Sequence, residues 1–307
     1  MIVTDSLRDL KLFVAVYEER SFTAAAAREN ATQSGVSQHI RKLEDSFGVK
    51  LFIRDAAGAM PTPAADCYYN HCIGVLRAHG AANRAVRVFS VGIEGAIKVG
   101  LMPTMTRCVL APSLRRFIKE HPNSAVHIVE GYSASLTHQV QAGELDFAIV
   151  PAFLGAMGLR SRLFLRTPEV LVSSLNSPLS HAKPVRLSTL GPLDLVVPGK
   201  ANTRRNLIEA YLSSNGIRIN RQLELDAMLG TLDFVSQSDW RCILPGIMMA
   251  EPHKNRSFTV NPIADAPFGL DLIQIEPSRQ VLSAAAAAFL EILEQEASRL
   301  NKRWPPA

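Results

Sequence analysis

The stretch from Ala31 to Gly48, ATQSGVSQHIRKLEDSFG, constrains this chain more than any other. Thr32 is a good N-cap, and the residues after it separate at helical period into two faces that want different surroundings. Val36, Ile40, Leu43 and Phe47 form a narrow apolar stripe that must pack on something. Gln33, Ser34, Ser37, Gln38 and Arg41 fall on the other side. An ordinary solvated helix face is dominated by Glu and Lys. This one carries short hydroxyls, two carboxamides and a guanidinium, the groups that pair with base edges and phosphates in a major groove. The pattern reads as a recognition helix, with Thr32, Gln33, Ser34, Ser37, Gln38 and Arg41 as its candidate contacts.

The residues on either side agree. Leu7, Leu10, Phe13, Val14 and Tyr17 predict a first amphipathic helix of about three turns. Ser21 caps a short alanine-rich second helix, Phe22 to Glu29, whose small residues Ala24 to Ala27 allow two helices to cross closely, as in a helix-turn-helix. Gly48 stops the third helix, Val49 to Arg54 reads as a strand, and Ala56 to Ala59 as the turn of a wing with Arg54 at its tip. Charge does not decide between a DNA-reading module and a small bundle with a polar outside. Arg8, Lys11, Arg20, Arg28, Arg41, Lys42, Lys50 and Arg54 are matched by Asp5, Asp9, Glu18, Glu19, Glu29, Glu44, Asp45 and Asp55. Position is more telling: Arg41, Lys42, Lys50 and Arg54 surround the proposed DNA face, whereas Asp5, Asp9, Glu18 and Glu19 belong to the first helix.

The segment FTAAAARENATQSGVSQHIRKLEDSFGVKLFIRD resembles the winged helix-turn-helix of LysR-type transcriptional regulators, and the similarity of layout extends over essentially the whole chain. By position, that resemblance carries DNA contacts over to Gln33, Ser34, Ser37, Gln38, Arg41 and the wing residue Arg54, and it implies a tetramer. Two departures stand out. The wing ends in Asp55-Ala56-Ala57-Gly58-Ala59-Met60-Pro61-Thr62, less basic than is usual in relatives, and Gln237 to Pro245 replaces a glycine-rich turn with bulkier, charged side chains.

With 307 residues, 47% of them hydrophobic, the chain can bury two or three modest cores. A net charge of +5 and a pI near 9.1 suit a polyanionic partner without arguing strongly for one. The acidic N-terminus is no signal peptide, and no stretch reaches the ~18 to 20 apolar residues that cross a bilayer, so a cytoplasmic protein with no membrane partner is expected. Cys67, Cys72, Cys108 and Cys242 show no CxxC and no Cys/His spacing suited to zinc, which predicts free thiols and no metal.

Pro61 and Pro63 mark a boundary. They separate a winged helix-turn-helix over residues 1–62 from a proline-free helix over 63–90. The rough stripe Ala65, Tyr69, Cys72, Leu76, Gly80 and Asn83 on that helix is expected to meet its copy in a dimer formed through residues 64–89. Two copies then present two recognition helices to successive major grooves, so the double-stranded DNA target is expected to be an imperfect inverted repeat. From residue 91 to 307 strands and helices alternate, which predicts an α/β effector-binding domain of periplasmic-binding-protein-like type. Its subdomain I covers 91–162 and 267–300, its subdomain II 163–266, and the candidate hinges are Pro151 to Arg166 and Ile263 to Phe268.

In such sheets ligands bind beyond the carboxyl ends of strands, where helix N-termini point. Those points carry Thr104 and Thr106, Ser133 and Ser135, and Thr203. Lys200, Arg204 and Arg241 could add charge and Trp240 a wall. Converging helix N-termini suit a carboxylate, so a small organic acid is the expected effector. Effector-binding candidates are thus Thr104, Thr106, Ser133, Ser135, Thr203, Trp240 and Arg241, and the resemblance also places effector pockets in this cleft. The reading is a ligand-responsive, sequence-specific transcriptional regulator, with RNA polymerase as a further partner if it activates. The alternative is an architectural or constitutive DNA-binding protein with a non-functional cleft. No nucleotide-binding glycine loop, Gly-x-Ser-x-Gly elbow or metal cluster supports an enzyme or a cofactor.

Overall fold

The structure, a computed structural model, describes residues 6–55, 58–91, 95–153, 155, 157–200, 202–251 and 255–304. The chain divides into two compact units. Unit 1 comprises residues 1–92 with 155–160 and 276–283, and unit 2 comprises 93–154, 161–275 and 284–307.

Unit 1 begins with α1 (Leu7–Glu19), opened by a capping box in which Ser6 and Asp9 satisfy each other's backbone N–H. Next come α2 (Phe22–Arg28), capped by Ser21, and α3 (Gln33–Phe47), where Thr32 Oγ1 accepts the Gly35 N–H at 3.1 Å and Gly48 ends the helix at φ 68°. The wing is β1 (Phe52–Asp55) paired antiparallel with β2 (Gly58–Pro61). Gly58 has φ 121°, and a Cβ there would lie 2.5 Å from the Arg20 carbonyl oxygen, which accepts the Ala59 N–H at 2.8 Å. Only glycine lets the returning strand come this close to the end of α1.

The long helix α4 (Pro63–Val91) packs its first turns on the same core. Phe13 is fully buried, with Phe52 at 5.6 Å and Tyr68 of α4 at 4.8 Å, while Tyr17 stacks on Tyr69 at 4.1 Å. Truncating a side chain like Phe13 costs about 3–5 kcal/mol. This packing corrects one expectation. Ala65, Cys72 and Leu76, assigned from sequence to a dimer face, are buried against the helix-turn-helix of their own chain. Apolar α1 residues outcompete a second copy for that stripe because they are already tethered beside it. The exposed side of α4 is instead Cys67, His71, Gly74, Val75, Ala78 and Ala82.

Unit 2 carries one sheet in the order β4-β3-β5-β11-β6-β9-β7-β8, with β10 also paired to β6. In its first half β3 (Gly95–Leu101) pairs parallel with β4 (Ser124–Glu130) and β5 (Phe147–Pro151); in its second, β7 (Leu193–Val197) pairs parallel with β8 (Ile219–Glu224) and β9 (Arg241–Pro245). The halves are joined by the neighbouring strands β6 (Leu159–Ser174), antiparallel to β9, and β11 (Gly269–Pro277), antiparallel to β5, and β10 (Phe258–Pro262) lies antiparallel along β6. The outgoing hinge expected over Pro151 to Arg166 is therefore largely strand, because β6 begins at Leu159. Fork-like bonds from Arg166 to Asp271 and from Arg162 to Glu294 hold its first half in place.

The helices are α5 (Pro103–Met105), α6 (Ala111–Glu120), α7 (Ser133–Ala142), α8 (Thr203–Ser214), α9 (Met228–Ser236) and α10 (Ala284–Asn301). Between α5 and α6 the helical ladder is broken by a π turn at Thr106–Leu110 just before Pro112, which has no N–H to continue it. No helix among the described residues is long and apolar enough to cross a membrane.

Candidate nucleic-acid interface and ligand cleft

The two faces of α3 lie in different surroundings. Val36, Ile40 and Leu43 are at most 2% exposed, whereas Thr32, Gln33, Ser34, Gln38 and Arg41 are exposed and Ser37 is half-buried. Gln33 Nε2 donates to Ser37 Oγ at 3.1 Å, and the hydroxyls of Thr32 and Ser34 are 3.3 Å apart, so the first turn presents a linked polar surface. Arg41 stands beside Ser37, Lys50 and Phe22 around a groove of about 280 Å³ between α2, α3 and the wing. Helix N-terminal N–H groups and cations around such a groove are suited to DNA phosphates. Arg54 lies opposite Ala59 in the wing ladder, and its side chain is outside the described residues.

Phe47 departs from the expected stripe. It is 36% exposed and rests edge-on against Tyr68 at 4.9 Å. Its place inside is taken by Glu44, 8% exposed, whose Oε1 accepts the backbone N–H of Leu51 at 2.9 Å and of Phe52 at 3.2 Å while Oε2 accepts Lys50 Nζ at 2.7 Å. One carboxylate thus ties the wing to the recognition helix. Burial pushes the Glu44 carboxyl up, but Lys50 and the two backbone donors outweigh it and hold the group below its ordinary value. The sequence signal was present: Val36, Ile40 and Glu44 are spaced by four, which places a carboxylate on an apolar face. The helix is also tied to α1 by His39, which contacts Asp9.

In unit 2, a cavity of about 30 Å³ lies where β7, β9, the start of α8 and the loop before α9 meet Tyr132. Tyr132 closes it by donating its hydroxyl to the Asp226 backbone carbonyl, and Asp226 Oδ1 accepts the Gly199 N–H at 2.8 Å. Burial raises the Tyr132 phenol, and Asp226 adds to the effect, so it stays a donor. The volume holds about one water molecule.

None of the seven residues singled out from the sequence lines this cavity. Ser133 follows Tyr132 as the first residue of α7, and Ser135, exposed, accepts from Gln139. Thr203 is exposed at the start of α8, where the capping side chain is Asn202: its Oδ1 accepts the Arg204 N–H at 3.1 Å. Thr104 is buried after β3, and Thr106 donates to the Glu130 carboxylate. Trp240 packs on Phe234 and lies under the Arg221 guanidinium at 5.1 Å, and Arg241 Nε is buried with no acceptor among the described residues. Tyr132 and Asn202 line the cavity and were missed, each one position before a singled-out residue.

Arg204 lines the cavity, but its charge is taken up by Glu169. Arg204 and Glu169 are 4% and 3% exposed and bonded side to side, with Nη2 at 2.7 and 2.9 Å from the two carboxylate oxygens and a further bond to the Ile243 carbonyl. A pair this saturated neutralises itself. On the other half of unit 2, Arg107 Nη1 reaches across to the Met248 carbonyl at 2.6 Å and Asn255 Oδ1 at 3.0 Å.

Comparison with known proteins agrees with this architecture. The model of the bacterial regulatory helix-turn-helix of the lysR family matches residues 7–66, and that of the LysR substrate-binding domain matches 90–298. The transcriptional regulator DgdR of Burkholderia cepacia is 30% identical over 210 residues, 67% of this chain and 70% of its own. The nitrogen assimilation regulatory protein nac of Escherichia coli is 23% identical over 289 residues, 94% of both chains. Among solved structures, a Corynebacterium glutamicum OxyR C206 mutant superposes with a TM-score of 0.60 at 19% identity, covering 98% of this chain and 94% of that one. Full-length CbnR complexed with its target DNA gives 0.56 at 19% identity, covering 95% and 100%. With both of its regions matched in this order, the chain belongs to the LysR family of transcriptional regulators, DNA-binding proteins that carry an effector-binding domain.

Proposed function

We propose that two copies of this chain read an imperfect inverted repeat through Thr32, Gln33, Ser34, Ser37, Gln38, Arg41 and the wing residue Arg54, in the cytoplasm, and that a small carboxylic acid sets their activity from the cleft of unit 2. The observation that carries the DNA reading is the split of α3 into a face at most 2% exposed and an open face of amides, hydroxyls and a guanidinium. The copies meet along the middle of the exposed side of α4, where Gly74, Val75 and Ala78 permit close helix contact and Cys67, about two turns earlier, stays uncovered; pairing of dimers into a tetramer and contact with RNA polymerase by an activator complete the scheme.

The acid enters between Tyr132 and Asn202, beside Ser133 and Thr203, after the Tyr132–Asp226 bond opens. A carboxylate there meets the N-terminal N–H groups of α7 and α8. Its effect on DNA is limited to its differential affinity for the open and closed clefts. Footprinting upstream of the chain's own gene tests the first part: a protected inverted repeat is expected, and diffuse protection would return the architectural reading. A thermal-shift screen of mono-, di- and aromatic carboxylic acids tests the second, because a ligand of the native state raises its stability.

A further inference from the structure

Unit 1 contains a cavity of about 540 Å³, far roomier than the cleft in unit 2. Its wall is built from Lys11 of α1, Glu29 at the end of α2, His79 and Asn83 of α4, and the turn Arg279–Gln280 that follows β11. We propose that this cavity binds a small organic or inorganic oxyanion, a carboxylate or phosphate compound, as a second ligand site separate from the cleft.

The charge balance favours an anion. Glu29 is the acidic residue of the wall, and its carboxylate is shared by two guanidinium groups: Arg279 Nη1 donates to it at 2.5 Å, and Arg28 Nε stands 3.8 Å away. Against it the wall sets Lys11, exposed and in no ion pair among the described residues, and Arg279 itself. Lys11 and Arg279 against Glu29 leave the lining net positive.

Hydrogen-bonding capacity points the same way. Arg279 is only 10% exposed, and its Nε is buried with no acceptor among the described residues. A guanidinium has five N–H donors, and a buried donor left without an acceptor is costly. An oxyanion is the species that Lys11 and the Arg279 fork bind together. Opposite them, Asn83 Nδ2 lies 3.2 Å from His79 Nε2, which leaves the Asn83 carbonyl oxygen to accept from a hydroxyl of the ligand. The volume is in the range of ordinary small-molecule sites.

The location gives the site a consequence. Arg279 lies two residues beyond the end of β11 in the chain, and its bond to Glu29 ties that turn to the end of α2, which precedes the recognition helix. An oxyanion that recruits Arg279 competes with Glu29 for it and loosens this tie, so anion level and DNA affinity become linked.

The test is isothermal titration of the full chain with inorganic phosphate, sulfate and citrate in low-chloride buffer, on wild type, Lys11→Met, Arg279→Gln and, for the cleft, Tyr132→Phe. At least one anion is expected to bind at one site per chain. Lys11→Met, an exposed change that spares the fold, should weaken it about tenfold, Arg279→Gln should abolish it, and Tyr132→Phe should leave it unchanged. No binding by any of the three anions at millimolar concentration overturns the proposal, as does binding indifferent to Lys11→Met. A Lys11→Met chain that binds the anion normally but self-associates differently in the ultracentrifuge also overturns it and makes the cavity a surface between copies. The cleft reading is separate, since it fails only if no carboxylic acid responds to changes at Tyr132 and Thr203.

Discussion

Glu44 Oε1 accepts the Leu51 N–H at 2.9 Å across the turn that ends the recognition helix, so the position of the wing depends on a charge buried beneath the DNA-facing surface. Glu44→Gln keeps the volume but loses the ion pair with Lys50 and the charge-assisted bonds to two backbone donors. A loss of about 1–3 kcal/mol is expected, read as a lower Tm of the full chain with a larger fractional loss of DNA affinity than a surface Glu→Gln change produces.

The same carboxylate has a pH signature. Its folded pKa is depressed below the unfolded value, so its contribution is fully present above the ordinary carboxylate range and is lost as pH falls through the folded pKa. Wild-type stability should therefore drop below about pH 4.5 more steeply than that of Glu44→Gln. Parallel pH–Tm curves for the two chains would show that Glu44 contributes no such linkage.

What could be read in the sequence and what could not follows from range. Helix α3, its Thr32 cap and its Gly48 stop are local, set by residues within a turn of one another, and all three lie where periodicity puts them. The stripe on α4 was legible as apolar but not as to its partner, because periodicity says that Ala65, Cys72 and Leu76 are covered without saying by what. The cleft was the hardest to read. Hydroxyls at helix starts mark the right loops, yet the groups that close the cavity are a tyrosine meeting a backbone carbonyl distant in sequence, and the nearby Arg204 of α8 is quenched by Glu169 of β6. No short-range pattern encodes either pairing.

Arg41 is exposed on the open face of α3, makes no ion pair among the described residues and lines the groove by the wing. Arg41→Ala should therefore leave Tm and dimerisation unchanged within experimental scatter while weakening operator binding by about 1–3 kcal/mol, roughly fivefold to 150-fold. Gel shifts at two salt concentrations separate its roles. A base contact relaxes sequence preference, and a phosphate contact lowers the salt slope by about one. Unchanged affinity would remove α3 from the interface.

Arg204 and Glu169 make the opposite case. Removing one member strands the other charge in the interior, so Arg204→Ala should destabilise unit 2 by about 3–5 kcal/mol, whereas the double change Arg204→Met with Glu169→Leu should recover much of that loss. Denaturant midpoints report it. An Arg204→Ala chain that keeps wild-type stability but loses its ligand response would make Arg204 a ligand contact instead of a structural ion pair.

Tyr132 holds the cleft shut through one hydrogen bond to the Asp226 carbonyl. Tyr132→Phe deletes that bond and keeps the ring, removing about 1 kcal/mol from the closed state alone. A ligand that needs the cleft open should then bind up to about fivefold more tightly, measured by titration with whichever acid the thermal-shift screen selects. Weaker binding would show that the hydroxyl touches the ligand.

The four cysteines form no disulfide among the described residues, but their surroundings differ: Cys67 is exposed, whereas Cys72, Cys108 and Cys242 are at most 1% exposed. Only a thiolate reacts at an appreciable rate. Cys108 Sγ donates to the Met248 carbonyl at 3.0 Å, and burial pushes the Cys242 thiol up to about 12. Native protein should thus release about one equivalent of thiol-reagent product per chain rapidly, the rapid phase should vanish in Cys67→Ser, and the other three should appear on denaturation. The relevance is to signalling. A peroxide sensor needs an accessible, acidified thiol, whereas Cys108 and Cys242 of unit 2 are both buried, and burial disfavours the Cys242 thiolate. A second rapid equivalent from native protein, lost in Cys108→Ser or Cys242→Ser, would reopen a redox role that the burial of these groups argues against.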